Sequence, residues 1–473
     1  MIHKNTLLSL AALIAFMAPP QRAWAQATWG DKSPGKIGFV TARETRPLHP
    51  GSPVAGGDQV PSLLEGNSFV IRNVRVFDGE RVLDRVNVVV KAGLIISVGR
   101  GKPPADLPGV EGSGRTLLPG FIDAHAHVQN DNALRHALRF GVTTQLDMFT
   151  RVAYMQGHKA DRDRLGKTDM SDLYSAGAPV TSPGGMGTQF GIPFPTIAGP
   201  TEASAFVRAR LAEGSDYIKV LYEPSAGFVT TISKETLTNV IAAAHAQGAL
   251  AVIHISSLEG ARAAVAAGAD GLVHIFADAP IDDALLANMS AKRVFVTPTL
   301  SIFAAIDGKS VGPSLAADAR LSPFLTDAQR KVLTVAPQSS ESGEANPMGT
   351  YLTRFKIDMA SANVRRLRAA GVRILAGDDV PNLASYGVSM HGELKLLTSA
   401  GLSPVEALRA ATRAPAEAFA LKGRGRIIPG ARADILLVEG NPTKDIEATR
   451  AIVRVFKNGF EVSRKPPMPK PAG

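Results

Sequence analysis

The chain contains no cysteine among its 473 residues. This absence excludes disulfide bonds, thiolate metal sites, a cysteine nucleophile and a lipid-modified N-terminal cysteine. Any metal site must therefore be built from nitrogen and oxygen ligands, which survive an oxidising compartment.

The sequence is also poor in aromatic residues, which make up 6% of it, and its basic residues are spread along the chain. Although the formal net charge is +10, the charges are not clustered with aromatic side chains, so we expect no nucleic-acid partner. The 45% of hydrophobic and 20% of charged residues are typical of a soluble globular protein. The length indicates one large domain with smaller additions.

Long hydrophobic runs are scarce, and the main one lies near the N-terminus, from Leu7 to Ala18. Lys4 precedes this run and Ala23-Trp24-Ala25 follows it, which is the pattern of a signal peptide. The run is shorter than the roughly 20 residues that span a bilayer. We expect a signal peptide over residues 1–25 that is cleaved after Ala25, a periplasmic or secreted location and no stable membrane insertion. Retention as an N-terminal anchor is the alternative.

The rest of the chain divides by composition and periodicity. Residues 26–66, rich in Gly, Pro and Ser, predict an arm or linker. Short apolar and alternating runs in 67–115 and again in 426–465 predict strands, with turns at Asp78-Gly79 and Ala92-Gly93. We expect these two terminal segments to build one small β-sandwich.

Residues 116–425 alternate short apolar runs with Ala-rich helical patterns such as 235–247, 259–267 and 358–370, which indicates parallel βα units. The predicted fold class is α/β, with a (β/α)8 TIM barrel. Its candidate strands are 121–127, 143–148, 178–183, 217–222, 250–256, 271–276, 294–300 and 372–379. The polar stretch 304–350 breaks this rhythm and is interpreted as a lid or pocket wall, with a disordered loop as the alternative.

The most informative motif lies in the first of these strands, where His125 and His127 follow Pro119-Gly120 and a short apolar run. Side chains at i and i+2 of a strand point to the same face, so the two imidazoles converge, as metal binding requires. Two ordinary strand histidines are the alternative interpretation.

Further polar residues fall at the ends of other candidate strands, and they are Lys219, His254, His274 and the pair Asp378-Asp379. Each has a plain alternative, since a single histidine in an apolar strand is usually a hydrogen-bonded core residue and the aspartates could begin a turn. A buried lysine is less ordinary, because an unpaired ammonium is costly to bury. Strand ends of a barrel face one rim, so the whole set favours a metal site there.

This set resembles the amidohydrolase superfamily, in its imidazolonepropionase-like and prolidase-like branch. The resemblance covers residues 68–460 and rests on the segments "LLPGFIDAHAHV", "GVTT", "GSDYIKV", "HIS", "VHIF", "VTPTL", "ILAGDD", "HGELKLL", "SPVEALRAAT" and "IIPGARADILLVEGNPTKDI".

The resemblance implies two divalent metal ions, with zinc as the first candidate and manganese, cobalt or iron as alternatives. It implies that His125, His127 and Asp379 hold the more buried ion and that His254 and His274 hold the second. Lys219 would carry a CO2-derived carbamate that bridges both ions. Asp379 rather than Asp378 takes the catalytic role, because the family pattern Ala-Gly-x-Asp ends on it.

The substrate contacts are less well defined. Many relatives have Gly-Gly-His where this chain has Gly184-Gly185-Met186, which makes Met186 a candidate pocket residue. Tyr222 is a candidate substrate contact or a core tyrosine, and His391 is a candidate rim residue or a helix cap.

We therefore expect an exported binuclear hydrolase that cleaves a C–N amide or peptide bond of a small substrate by metal-activated hydroxide, as a dipeptidase or N-acyl amidase does. A cyclic amidohydrolase or lactonase with the same site is the alternative, and a non-catalytic binding protein on this scaffold is a third hypothesis. The expected partner is a small-molecule amide or dipeptide, and a homo-oligomer is left open.

Overall fold

The computed structural model describes residues 64–188, 193–335 and 347–465. The predicted signal peptide, 1–25, and most of the predicted arm, 26–66, lie outside the described residues. No helix in the described ranges is long and apolar enough to span a membrane.

Strands are concentrated at the two ends of the described chain and in short pieces between them. In chain order they are β1 (Phe69–Phe77), β2 (Val82–Lys91), β3 (Leu94–Gly99), β4 (Gly109–Glu111), β5 (Arg115–Pro119), β6 (Phe121–Ala126), β7 (Val142–Asp147), β8 (Asp172–Ser175), β9 (Ile218–Leu221), β10 (Ala251–His254), β11 (Gly271–Val273), β12 (Phe295–Thr297), β13 (Ile435–Glu439), β14 (Ile452–Lys457) and β15 (Phe460–Glu461).

Helices fill most of the remaining middle. In chain order they are α1 (Asp131–Arg139), α2 (Val152–Lys159), α3 (Ala203–Ala212), α4 (Lys234–His245), α5 (Leu258–Ala267), α6 (Asp283–Ala291), α7 (Leu300–Ile306), α8 (Gly312–Ala317), α9 (Asp327–Thr334), α10 (Pro347–Leu352), α11 (Ile357–Ala369), α12 (Val388–Ser399), α13 (Pro404–Ala410) and α14 (Arg413–Ala418). The helices predicted from their Ala-rich patterns are confirmed as α4, α5 and α11.

The strands of the two termini share one sheet, in the order β15-β14-β13-β5-β1-β2-β3, with β4 beside β1. The N-terminal and C-terminal groups of strands meet where β5 pairs antiparallel with β13, for example Leu117 with Leu437. The predicted turn between β2 and β3 is present, because Ala92 and Gly93 both have positive φ (49° and 79°), as a tight hairpin turn requires. The union of both termini is therefore confirmed, whereas their two-layer sandwich stays a prediction.

The middle of the chain forms two parallel sheets, β6-β7-β8 and β9-β10-β11-β12. Single bridges attach neighbouring segments to their edges: Val180 pairs with Val220 of β9, Ile374 with Val296 of β12 and Val380 with Ala126 of β6. The architecture is TIM-barrel-like α/β, but the fully hydrogen-bonded closed barrel that the sequence predicted is not found within the described ranges.

Two of the candidate barrel strands are not regular strands, and their composition explains why. Segment 178–183 contains Pro179 and Pro183, which donate no backbone hydrogen bond, and the third strand lies upstream as β8. Segment 372–379 ends in Asp379, whose φ of 55° turns the backbone out of an extended path.

The stretch 304–350 is also more structured than predicted. It contains α8, α9 and the beginning of α10, and Leu315, Leu321 and Leu333 pack in an apolar cluster with Phe140 and Val388. Apolar residues at helical spacing within a polar stretch therefore attach much of this connection to the barrel. Its role as a lid stays a prediction.

Candidate metal centre

The predicted ligands lie at the carboxyl ends of the central strands. His125 is the penultimate residue of β6, His254 ends β10 and His274 directly follows β11. Lys219 lies inside β9, while Asp379 lies in the turn after segment 372–376, where its backbone N–H donates to the carbonyl of His125. Parallel strands thus bring residues that are far apart in sequence to one end of the barrel-like domain.

His125, His127 and Asp379 form a compact trio in which one ligand atom of each lies within 4.8 Å of the others. Asp379 Oδ1 is 3.1 Å from His125 Nε2 and 3.0 Å from His127 Nε2, and the two imidazole nitrogens are 3.3 Å apart. Two imidazole nitrogens and one carboxylate oxygen that converge on a buried point fit a divalent metal ion.

His254 and His274 form a second group beside this trio. The His274 ring centroid is 4.7 Å from that of His125 and 4.8 Å from that of His254. Nδ1 of His274 lies 2.5 Å from the hydroxyl of Thr299, so Nε2 is the nitrogen left for another ligand. The geometry therefore brings together all four histidines predicted from the sequence.

Lys219 is buried, with 1% of its surface exposed, and its Nζ has no hydrogen-bond partner within the described residues. Burial lowers the pKa of Lys219 to about 7, although Asp379 and Asp147 oppose this shift. A buried amine without a partner is energetically unfavourable, which makes Lys219 unusual for a purely structural residue.

The pKa shifts of the histidines and of Asp379 fit metal binding. Burial, reinforced by Lys219, lowers the pKa of His125 to about 3, and burial also lowers that of His274. Burial alone would raise the pKa of Asp379, but His125 and His274 hold it well below its usual range. Neutral imidazoles and an ionised carboxylate are the states that coordinate metals.

The two adjacent aspartates face different environments. Asp379 faces the histidines, whereas Asp378 is fully buried against Asp123, whose Oδ1 also accepts a hydrogen bond from the backbone of His125. Burial and the neighbouring Asp123 carboxyl raise the pKa of Asp378 well above its usual range. The structure places Asp379, and not Asp378, with the predicted ligands.

Two of the three candidate substrate contacts, Tyr222 and His391, have side chains that are buried in the packed interior. Tyr222 is 2% exposed and belongs to the main apolar core, which is the plain alternative for that residue. His391 is buried too, with Nδ1 at 3.1 Å from Thr449 Oγ1 and Nε2 at 3.1 Å from the Phe140 carbonyl. Its two nitrogens thus link α12 to neighbouring segments. Met186 is half-buried in the loop that contains Gly187, and its role as a substrate contact stays a prediction.

An apolar wall lies beside that loop. Leu221 is half-buried and lies two residues after Lys219 in β9, so both side chains point to the same face of the strand. A Cβ at Gly187 would lie 3.3 Å from Leu221 Cδ1 and 3.3 Å from Phe194 Cζ. Phe194 packs edge-on against Phe149, with ring centroids 4.9 Å apart. We call Phe149, Phe194 and Leu221 the apolar wall.

Sequence reasoning missed three residues near His254, namely Glu223, Ser256 and Tyr351. Glu223 is 2% exposed and its Oε1 lies 3.0 Å from His254 Nε2. The position of Glu223 just beyond β9, the strand that contains Lys219, could have marked it as a site residue. Tyr351 lies in a helix that is distant in the sequence, so no sequence pattern connects it with His254.

Comparisons with known proteins agree with this geometry. A profile of the amidohydrolase family matches residues 116–462. Imidazolonepropionase of Salinispora arenicola (strain CNS-205) is 26% identical over 408 residues, which cover 80% of this chain and 92% of that protein. Two solved structures are similar in fold. A putative prolidase from Bifidobacterium longum has a TM-score of 0.66 and 24% identity, over 85% of this chain and 96% of its own. A Xaa-Pro dipeptidase with bound methionine in its active site has a TM-score of 0.64 and 19% identity, over 83% and 99%.

The family match begins in β5, includes every predicted metal ligand and continues past β15. Because it spans most of the chain, we conclude that this protein belongs to the amidohydrolase family and is a hydrolase that acts on carbon–nitrogen bonds.

Proposed function

We propose that the protein is an exported binuclear metal hydrolase that cleaves the amide or peptide bond of a small substrate, as a dipeptidase or N-acyl amidase. The observation that carries this proposal is the buried Nζ of Lys219, which has no hydrogen-bond partner in the described part of the chain, beside the trio of His125, His127 and Asp379. A mononuclear site made by the trio alone gives no reason for such a lysine.

A carbamate on Lys219 explains its surroundings. The neutral amine attacks the carbon of CO2: an N–C bond forms while one C–O π bond of CO2 breaks, and the nitrogen releases one proton to solvent, which would convert the lysine into an anionic oxygen ligand. His125, His127 and Asp379 would then hold one ion, His254 and His274 the other, and the carbamate both. Zinc suits this set of nitrogen and oxygen donors.

The residues of the site have defined tasks in hydrolysis. When bound, the divalent ions supply Lewis acidity, which lowers the pKa of a water and polarises the substrate carbonyl. Asp379 accepts the proton of the attacking water and returns it to the leaving nitrogen, acting first as a base and then as an acid.

The apolar wall favours a substrate with an apolar side chain. Phe149, Phe194 and Leu221 offer no hydrogen-bonding groups and would bury such a side chain next to the reacting centre. The names of the structural neighbours, a prolidase and a Xaa-Pro dipeptidase, favour dipeptide-like substrates.

A substrate panel tests this proposal. We expect zinc-loaded protein to hydrolyse Leu-Pro or N-acetyl-leucine faster than Asp-Pro or N-acetyl-aspartate, and a substrate with an apolar side chain to gain about tenfold in kcat/KM. Turnover of hydantoins or lactones, without turnover of the open-chain amides, would instead establish the cyclic amidohydrolase or lactonase alternative. Ligand binding without any turnover would favour the non-catalytic alternative.

Export is a separate part of the proposal and rests on residues 1–25. We expect N-terminal sequencing of the protein from the periplasm or medium to begin at Gln26. An intact Met1 on the mature protein would contradict cleavage.

A further inference from the structure

Glu223 lies just beyond β9 and is the centre of a buried polar group contributed by three distant segments. Its carboxylate meets His254 at the end of β10, Ser256 two residues later and Tyr351 in α10. Only 2% of Glu223 is exposed, and a carboxylate buried to this extent needs partners for both oxygens.

The two oxygens of Glu223 have different partners. Oε2 accepts hydrogen bonds from the Ser256 hydroxyl at 2.6 Å and from the Tyr351 hydroxyl at 2.7 Å. The hydroxyls of Ser256 and Tyr351 are also 2.5 Å apart, and since each has a single proton, that proton is donated either to Oε2 or to the other hydroxyl. Oε1 makes no aligned hydrogen bond within the described ranges and lies 3.0 Å from His254 Nε2. The hydroxyls therefore fix the carboxylate with its free oxygen towards His254.

This contact has a consequence for the tautomer of His254. A carboxylate at Nε2 favours the proton on that nitrogen and leaves the lone pair of Nδ1 for a metal. His274 shows the complementary arrangement, since Thr299 engages its Nδ1 and leaves Nε2. Each histidine of the second group is thus held by a different side chain through one nitrogen, which leaves the other free.

We propose that Glu223 is a positioning residue for His254, held in place by Ser256 and Tyr351, and that it sets the affinity of the second metal position. This inference rests on the proposed binuclear function. It also gives Tyr351, in the connection between β12 and α11, a link to the metal centre.

Equilibrium zinc titration of the metal-free full chain, with a competing chelator, tests the inference without any assay of activity. The wild type is expected to bind two ions. Glu223→Leu, which keeps the volume but removes the acceptor, is expected to weaken one of the two affinities by 10- to 100-fold and to leave the other unchanged. Glu223→Gln keeps an oxygen acceptor for Nε2–H and is expected to restore the weakened affinity to within about tenfold of the wild type. Tyr351→Phe removes one of two donors to Oε2 and is expected to weaken the same ion by about threefold.

Glu461→Leu is the control, because the Glu461 side chain is also nearly buried, with 6% of it exposed, but it bonds Arg454 and the backbone of Leu64 in the terminal sheet. Both affinities should be retained in this variant, and thermal melting of all variants reports whether they fold. Two wild-type affinities that persist in Glu223→Leu would overturn the positioning role. Equal loss in Glu223→Gln and Glu223→Leu would also overturn it and would make Glu223 a direct ligand. A wild type that binds one ion would overturn the binuclear function itself, before any variant is compared.

Discussion

Neighbouring aspartates at the end of the barrel-like domain differ in charge because their side chains point in opposite directions. Asp379 faces imidazoles, which hold its pKa well below the usual range despite burial. Asp378 faces Asp123, and burial together with this second carboxyl raises its pKa. The pair gives a matched test of the catalytic assignment.

We predict that Asp379→Asn lowers kcat by about 10²- to 10⁴-fold, because the amide cannot carry the proton from water to the leaving group. Asp378→Asn should retain activity, because the amide has the shape of the protonated acid that the structure favours at that position. Steady-state kinetics on the best substrate of the panel measures both. Loss of activity in Asp378→Asn alone would reverse the assignment.

We predict that Lys219→Ala reduces the metal content of protein purified with bicarbonate from about two ions per chain to one or fewer, since the bridging oxygen donors are removed. Elemental mass spectrometry measures this content, and added short-chain carboxylic acids should restore part of it. One ion per chain in both the wild type and the variant would show a mononuclear site in which Lys219 is structural.

At the scale of elements, local signals specified the helices better than the barrel strands. The helix α13 has the capping box that Ser403, Pro404 and Glu406 indicate: the Ser403 hydroxyl accepts from the backbone of Glu406, and the Glu406 carboxylate accepts from that of Ser403. These bonds satisfy backbone N–H groups at the first turn that have no hydrogen-bond partner within the helix.

We predict that Ser403→Ala destabilises the protein by about 1 kcal/mol, because it removes the cap. Urea unfolding followed by circular dichroism measures this change. Ser399→Ala is the control, since its hydroxyl bonds only the carbonyl of Lys395 within its own helix, and a change within about 0.5 kcal/mol is expected. An equal effect of both substitutions would contradict the capping role.

For the whole molecule, a buried ionic network joins the terminal sheet to the barrel-like domain. Lys457 of β14 is fully buried and contacts Asp434 at 2.7 Å and Asp172 of β8 at 2.8 Å, and Arg424 also bonds Asp172 at 2.7 Å. Burial opposes ionisation of Asp434, but Lys457 and Arg432 hold its pKa below the usual value. The network connects parts of the chain that are 285 residues apart.

We predict that Lys457→Met destabilises the protein by about 3–5 kcal/mol, because it leaves two buried carboxylates without their shared cation. Lys395→Met is the control, since Lys395 is largely exposed and a change within about 0.5 kcal/mol is expected. Urea unfolding at pH 7 measures both, and equal stability of the two variants would contradict the network's importance.

The same network predicts a pH dependence. Because the folded-state pKa of Asp434 is lowered, its stabilising contribution is present above the unfolded value of about 4 and is lost as the pH falls through the folded value. In Lys457→Met the shared cation is removed while burial still opposes ionisation of Asp434, so this contribution shrinks or changes sign, and we expect the stability deficit of the variant relative to the wild type to become smaller as the pH falls from 7 to 4. Urea unfolding between pH 4 and 7 checks the sign, and identical pH profiles would contradict it.

The sequence by itself determined the candidate ligands and the elements that have strong local signals. His125 and His127 were predictable because strand alternation places them on one face, and α4, α5 and α11 because of their apolar periodicity. The tertiary structure decided the rest, since it depends on contacts between distant residues. The third barrel strand is β8 and not segment 178–183, because the prolines of that segment donate no backbone hydrogen bonds. Segment 372–379 is not a regular strand, because the positive φ of Asp379 turns the backbone there. The tertiary structure buried Tyr222 and His391 in the packed interior, and it brought Glu223 to His254 and Tyr351, a meeting that no spacing in the sequence encodes.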